Sequence, residues 1–452
     1  MHANDSNLME KIVALCKRRG FIFPGSEIYG GLAGFYDFGP LGVTLRNNIR
    51  REWWWRFVEQ RDDMFGVESA ILMRQEVWEA SGHVGGGFAD FLVECKKCHQ
   101  RFRPDKLAGA DFETKRVGTS WESSFSPGKA KCENCGAQDF TRPHRFNLMF
   151  RTHAGPVEEF SNQVYLRPET AQGMFVNFKN VLDSMHPKLP FGIAQIGKAF
   201  RNEITPGNFI FRLRELEQME VEYFIRPEEW EDRFEAWRAA MQSWAEDIGL
   251  GRLHEREVAA EERAHYSRRT IDFDFDFPFG REELYGLAYR TDFDLRAHAG
   301  ASGASLTYFN EETKEHVTPH VIEPTFGVDR TLLALLVRAY VEEEGRTLLR
   351  FPPRLAPIKI AVFPLLGNKP QLIERARAVY GELKPHFATA WDDRGNIGKR
   401  YWSQDEIGTP WCVTVDFQTL EDGTVTVRDR DTMRQERQPA AELVSYFQQN
   451  LV

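Results

Sequence analysis

Apolar and polar positions alternate along this chain with two different periods. Residues 4–19 and 41–60 repeat their apolar positions every three to four residues, which predicts amphipathic helices. Between them lies a glycine-rich stretch, IYGGLAGFYDFGPLG (28–42). The second helix carries Trp53, Trp54, Trp55 and Phe57. Neighbours on a helix point in different directions, so this cluster reads either as helix core or as a subunit interface. Residues 161–225 read as strand-rich, and 227–268 as helical through WEDRFEAWRAAMQSWAEDI. Strands return over 270–325, and GVDRTLLALLVRAYVEEE (327–344) predicts another helix. FPPRLAPIKI (351–360) contains three prolines, which break a helix and mark a domain boundary. Beyond it, strand-like IKIAVFP, FATAW and WCVTVDF alternate with helices near 369–384 and 396–407. That order predicts a small α/β domain over 356–452.

The segment AFRNEITPGNFIFRLRELEQMEVEYF (199–224) places a turn signal, TPGN, between two strand-like runs. Period-two alternation puts Arg212, Arg214, Leu216, Gln218, Glu220 and Glu222 on one face. Leu213, Met219, Val221 and Tyr223 fall on the other, which suits a core. A buried face holding both guanidinium and carboxylate groups requires compensating ligands. A triphosphate and an ammonium group supply that compensation.

Composition adds constraints. The chain has 452 residues and a net charge of −9, which argues for several domains and against a general nucleic-acid coat. No apolar run approaches the roughly 18 residues that span a bilayer, and the start lacks the apolar core of a secretory signal. A cytoplasmic location is the expectation. Four of the six cysteines form Cys95-x-x-Cys98 and Cys132-x-x-Cys135, separated by 33 residues. In that compartment two such knuckles predict a tetrahedral structural zinc rather than disulfides; an insert that keeps the cysteines without metal is the alternative. The insert is rich in glycine and serine and is expected to have little core of its own. Its Lys96, Lys97, Arg101, Arg103, Lys106, Lys115 and Arg116 offer either an RNA acceptor-stem contact or a solvated basic loop.

Several motifs stand in one order. FRNE (200–203), a loop and RLRE (212–215) resemble the second signature of class II aminoacyl-tRNA synthetases, and GVDR (327–330) resembles the third. The long helix after FGPLG resembles the first, which builds a dimer interface. Together with YLRPETAQGMF (165–175), YRTDFDL (289–295) and PHVIEPTFGVDR (319–330), they resemble the homodimeric glycyl-tRNA synthetase family nearly end to end. DDRGNIGKRYWSQDEIGTPWCVTV (392–415) resembles the anticodon-binding domain that the glycyl, histidyl, prolyl and threonyl enzymes share.

The resemblance implies an α+β fold, with an antiparallel six-stranded sheet, flanking helices and a C-terminal α/β anticodon-binding domain. It divides the chain into 1–88 with the dimer-forming motif, an insert at 89–160, a catalytic core at 161–350 and the anticodon domain at 356–452. It implies ATP-dependent ligation of glycine to tRNA(Gly) through a glycyl-adenylate, with Mg2+ on the phosphates. Arg201, Glu203 and Arg330 become the catalytic residues. Asn202, Phe211, Arg212, Leu216, Glu283 and Gly327 join them around ATP, with Glu283 as magnesium ligand. Arg167, Glu169, Gln218, Glu220, Arg290, Glu323 and Thr325 surround glycine, with Arg290 toward its carboxylate. Arg394, Lys399, Arg400, Tyr401 and Trp402 face the anticodon. The chain departs from the family at two places: Leu216 stands where the family usually has an adenine-stacking Phe, and Thr325 where it usually has Ser. Two other readings follow from the same motifs. One is a non-catalytic paralogue such as a polymerase accessory subunit; the other is a sister class II synthetase for another small amino acid.

Overall fold

The computed structural model describes residues 6–84, 88–117, 120–157, 159, 162–264, 266–311, 313–343 and 345–451. Ser6–Arg19 forms the first helix, burying Leu8, Ile12, Leu15 and Cys16 and ending on Lys17, Arg18 and Arg19, where the helix dipole favours cations. The second helix, Pro40–Trp54, starts with proline at its first turn and continues into a π-helical turn, Trp55–Glu59. Gly42 is required there: a Cβ would stand 1.9 Å from the carbonyl oxygen of Phe21. Trp53 and Phe57 are core, against Phe326 at 5.8 and 5.3 Å, while Trp55 is half exposed. The tryptophan cluster thus divides between core, at Trp53, and surface, at Trp55.

The main sheet has seven strands. Six are antiparallel in the spatial order His254–Glu257, Arg269–Phe277, Gly280–Thr291, His320–Gly327, Glu215–Ile225 and Phe191–Phe200. The seventh, Met64–Gly66, adds a parallel edge beside Phe191–Phe200. The two central strands are buried on both faces. Met219, Val221 and Tyr223 enter the main core with Trp237, Trp244 and Phe326. On the opposite face Phe224 joins Phe175, Phe178, Phe191 and Leu295 in a second core. Between these cores that same face holds Gln218, Glu220 and Glu222, all buried.

Buried ion pairs lock the three signature segments together. Arg46 of the second helix reaches Glu217 at 2.9 Å and Asp329 at 3.2 Å, and Asp329 accepts the backbone N–H of Glu217 at 2.8 Å. Removing one member of such a cluster leaves an uncompensated buried charge.

Several sequence expectations change. Residues 161–225 are not all strand: Ala171–Val176 and Phe178–Met185 are helices. The helix after the hairpin is Trp230–Asp247; Gly249 and Gly251 at φ +86 and +76 end it, and a strand follows. A helix, Phe293–Ser302, interrupts the strands of 270–325. The helix Val328–Ala339 stops before 344 because Tyr340 turns extended and pairs with Leu349 in a hairpin closed at Gly345. The cysteine-bounded insert has a core of its own, in which Val93, Phe102, Leu107, Ala130 and Phe140 pack with the buried Cys95 and Cys132. The side chains of Lys115 and Arg116 lie outside the described residues.

The C-terminal sheet has the order Thr389–Trp391, Ile360–Pro364, Trp411–Val415, Thr424–Asp429, Gln435–Pro439, parallel for the first three strands and antiparallel for the rest. Its junction with the hairpin Tyr340–Leu349 and the segment after it is polar and buried. Asp405, fully buried, accepts from Arg346 at 3.1 Å and from Arg428 at 2.9 Å, and Arg430 donates to the carbonyl of Phe351 at 2.9 Å.

Candidate active site

The hairpin loop 201–214 folds back over the strand ends. Asn208 and Phe209 take positive φ, 53 and 59, and the backbone N–H of Arg201 donates to Arg214 at 2.9 Å. Arg201 and Glu203 therefore sit in the loop, beyond the strand that ends at Phe200. With the GVDR helix and the Gly280–Thr291 strand they line a cavity of about 350 Å3. Its wall includes Arg201, Glu203, Phe211, Arg212, Leu216, Gln218, Glu283, Thr325, Gly327 and Arg330, ten of the positions expected around ATP and glycine. Asn202 is not part of that wall; its backbone N–H donates to Leu148 at 2.7 Å.

Three arginines converge here and none is fully neutralised. The Arg201 Nε donates to the carbonyl of Pro168 at 2.9 Å and its guanidinium lies 5.7 Å from the Phe88 ring centre. Arg212 approaches Glu203 at 3.4 Å. Arg330 lies over the Phe211 ring at 4.4 Å and donates to the carbonyl of Glu283 at 2.9 Å. That contact puts an aromatic ring and a guanidinium plane, both surfaces on which a planar heterocycle can stack, side by side on the cavity wall. Arg214, in contrast, holds backbone, donating to the carbonyls of Glu203 and Ala33 at 3.0 Å. The insert supplies Asp90 and Arg103 to the same wall, joined at 2.8 Å. Spacing gave no hint of either, because insert and cavity are distant in sequence.

Behind Gln218 and Thr325 lies a buried cluster of acidic side chains. Glu220 accepts from Thr325 at 3.0 Å, from Gln218 at 3.4 Å and from Thr170. Glu169 accepts from Gln172 at 2.8 Å and faces His83 at 3.5 Å; Gln172 also meets His298 at 2.7 Å. Burial raises the Glu220 and Glu323 carboxyls, Glu323 to about 8, with neighbouring carboxylates adding to the effect against Arg290. Burial also opposes ionisation of Glu169, but His83 and Arg290 outweigh it and hold that group below the usual range.

Two arginines were expected near glycine. Arg167 donates to the carbonyls of Lys198 and Ser69 at 2.6 and 2.9 Å, and its Nη2 stands 2.2 Å from where a Cβ on Gly197 would be. Gly197 is thus the space that admits the guanidinium. Arg290 corrects its expected role. It makes a bidentate pair with Asp294, both bonds 2.8 Å, a third bond to Glu323 at 2.8 Å, and lies 3.7 Å from the Tyr266 ring centre. Fully buried and engaged, it neutralises protein carboxylates instead of presenting itself to a substrate carboxylate. Thr170, Gln172 and Asp294 were legible within RPETAQG and YRTDFDL but were not singled out; His83 carried no signal.

The four cysteines converge. Their Sγ atoms all lie within 4.8 Å of one another, with 3.6 Å between Cys95 and Cys135 and 3.5 Å between Cys98 and Cys132. A tetrahedron of thiolates about 2.3 Å from zinc has edges of this length, so the donor set fits the metal. The expected anticodon residues divide. Arg394 and Lys399 are exposed. Arg400 is a correction: it is buried, donating to the carbonyls of Pro364 and Leu365 at 2.6 and 3.2 Å. Tyr401 bonds Thr414 at 2.7 Å, and Trp402, though exposed, sits beside Glu342, Glu343 and Glu406, which are paired with Lys11, Arg346 and Arg18.

Comparison with known proteins fits this geometry. Residues 150–339 match the tRNA synthetase class II core domain (G, H, P, S and T), and residues 359–450 match the anticodon binding domain. A glycine–tRNA ligase of Lachnospira eligens is 51% identical, covering 97% of this chain and 98% of that protein. One of Geobacillus kaustophilus is 49% identical, covering 98% and 99%. Among solved structures, prolyl-tRNA synthetase from Cryptosporidium parvum, complexed with halofuginone and AMPPNP, superposes with a TM-score of 0.65 at 14% identity, over 97% of this chain and 74% of that one; it shares the fold. This chain belongs to the glycine–tRNA ligase family of class II aminoacyl-tRNA synthetases.

Proposed function

We propose that the chain joins glycine to ATP as glycyl-adenylate, releasing pyrophosphate, and passes the glycyl group to tRNA(Gly), releasing AMP. One observation carries this reading: an arginine-lined cavity shares its wall, Gln218 and Thr325, with a buried acidic pocket. Triphosphate suits the first and an ammonium group the second.

The attacking glycine carboxylate is already an anion, so positioning and charge neutralisation carry the rate, with no general base. Arg201 holds the α-phosphate and stabilises the charge that develops there. Arg212 and Arg330 clamp the far phosphates. The heterocycle takes a stacking position beside Phe211, with Arg330 leaving that ring to cover its other face, and Glu203 accepts from its amino group. Glu169, Glu220 and Glu323 bind the glycine ammonium. With Arg290 occupied, Arg167 is the guanidinium left for the glycine carboxylate. Glu283, half exposed on the cavity wall, is an oxygen donor suited to Mg2+, which when bound screens the triphosphate charge.

Zinc on Cys95, Cys98, Cys132 and Cys135 would hold the insert that carries Asp90 and Arg103. Metal quantitation on protein purified without added zinc tests this, and a stoichiometry near zero removes it. The half-exposed Val43 and Trp55 support a dimer face on the second helix. Arg394 and Lys399 are left as anticodon-side contacts. The segments 1–88, 89–160, 161–350 and 356–452 serve as dimer-forming, insert, catalytic and anticodon units. Among the described residues no helix is long and apolar enough to cross a membrane. A cytoplasmic site of action accords with tRNA as substrate. Pyrophosphate–ATP exchange over a panel of amino acids tests the central claim. Exchange with glycine alone is expected; exchange driven by serine, threonine, proline or histidine, or none at all, overturns it.

A further inference from the structure

Glu222 has no part in the chemistry derived above. It is fully buried, and neither carboxylate oxygen has a hydrogen-bond partner. Glu220 pairs with Thr325 and Tyr223 with Ile322 in the adjoining strand, a register that puts Glu222 directly opposite Glu323. One carboxylate oxygen from each of Glu220, Glu222 and Glu323 lies within 4.8 Å of the others. Like charges opposite one another in a sheet repel, and burial strengthens the repulsion. The surroundings do not supply enough cations. Glu220 comes from the same strand, Glu323 from the next, Arg290 from the strand beyond, and Asp294 from the helix Phe293–Ser302. Arg290 is the permanent cation in that set and is already bonded to Asp294 and Glu323; Arg167 lies on the Glu220 side and is bonded to the carbonyls of Lys198 and Ser69, and burial keeps the Tyr266 hydroxyl beside Arg290 protonated. His83, at the other end of the pocket, faces Glu169, and His298 is bonded to Gln172.

Resting on the reading of this pocket as the glycine site, we infer that Glu222 is a further ammonium-binding residue, and that Glu222 and Glu323 together hold one proton which the glycine ammonium displaces. Two opposed carboxyls sharing a proton are tolerable in a buried site; two opposed carboxylates become so only when a cation sits between them. The raised Glu222 and Glu323 carboxyls, each chiefly an effect of burial, accord with this. The carboxyl O–H bond breaks and water takes the proton as the zwitterion enters; the ammonium charge replaces the proton's charge between the two carboxylates, and the glycine carboxylate's charge is met by the guanidinium outside that pair. The arrangement also sharpens selection. A ligand without an ammonium group cannot replace the proton.

The sign follows from linkage. Binding that releases a proton strengthens as pH rises, so the glycine KM falls about tenfold per unit of pH from about pH 6 to about pH 7.5. The test is the glycine KM in pyrophosphate exchange over that range, for the wild type and Glu222→Gln. Glutamine removes one of the two carboxyls that share the proton and the repulsion between them, so the slope is expected to be shallower than in the wild type. Proton release by the wild type on binding a non-hydrolysable glycyl-adenylate analogue, read with a pH indicator, is expected to approach one per site and does not depend on the variant folding. A wild-type KM independent of pH, no proton release, or an unchanged slope in a folded Glu222→Gln protein overturns the inference. Absence of any glycine-dependent exchange in the wild type would instead remove the functional reading on which it rests.

Discussion

The two ends of the site solve opposite problems. At the glycine end, Arg290, Asp294 and Glu323 are buried and bonded to one another, while the buried Glu220 and Glu169 are held by Thr325, Thr170, Gln172 and His83. At the ATP end, Arg201, Arg212 and Arg330 line an open wall and are held by single weak ion pairs, aromatic faces or backbone carbonyls. A substrate without a side chain must be recognised by a rigid, closed socket. A flexible triphosphate needs cations that are unpaired enough to bind it. The difference predicts that mutations at the glycine end damage the fold along with the chemistry, while those at the ATP end damage chemistry alone.

The largest effect should therefore come from Arg290→Ala. It strands Asp294 and Glu323 without their shared cation, and breaking a buried pair costs about 3–5 kcal/mol. A lower urea midpoint together with lost glycine-dependent exchange is expected. An undiminished midpoint would show that the pocket is not held by this guanidinium.

Arg201→Ala is the converse case. Its guanidinium makes one backbone hydrogen bond, to Pro168, and a distant ring contact. Removing a group aimed at transition-state charge lowers kcat about 10²–10³-fold, or about 2.7–4 kcal/mol. Exchange kcat should fall by that much with a nearly unchanged melting temperature. A matching loss of stability would erase the contrast between the two ends.

These ends were not equally legible in the sequence. Alternation placed Gln218, Glu220 and Glu222 on one buried face, and the strand Glu215–Ile225 has that face. It failed for Arg212 and Arg214, since the strand begins only at Glu215 and the loop sends Arg214 to backbone carbonyls. The turn signal marked a reversal but carried no information on where each guanidinium would go. Arg290 and Arg400 show a second limit. A charge near a motif looks available in one dimension, and only the three-dimensional partners, Asp294 and Glu323 for one and main-chain carbonyls for the other, reveal that it is taken. The helices Ala171–Val176 and Phe178–Met185 were hidden because short apolar runs look alike in both periods.

Leu216→Phe probes the ATP end more gently. Leu216 lines the cavity and also touches the main core, where the family usually carries an aromatic ring. The aromatic surface present there is Phe211, backed by Phe277 and Phe279 at 5.1 Å. A second ring should add stacking of about 1–3 kcal/mol, the range measured for bases on aromatic side chains. The ATP KM should fall at least several-fold while the glycine KM stays put. An unchanged or higher ATP KM would mean that Phe211 with Arg330 already grips the heterocycle fully.

The smallest effect belongs to Thr325, the residue shared by both ends. Its hydroxyl donates to Glu220 at 3.0 Å, and serine would keep that bond. What serine lacks is one methyl group in the wall between ATP cavity and acidic pocket. If that methyl narrows the socket against larger amino acids, its removal admits alanine more readily. A single methylene-sized contact is worth about 0.8 kcal/mol, so discrimination against alanine should weaken about threefold to fourfold. Glycine KM should change less than that, because the ammonium contacts through Glu220 survive. Measuring exchange kcat/KM for glycine and alanine in Thr325→Ser separates the two quantities. If both stay at wild-type values, the methyl group faces away from the substrate, and glycine selection rests on the buried carboxyls and the backbone around them.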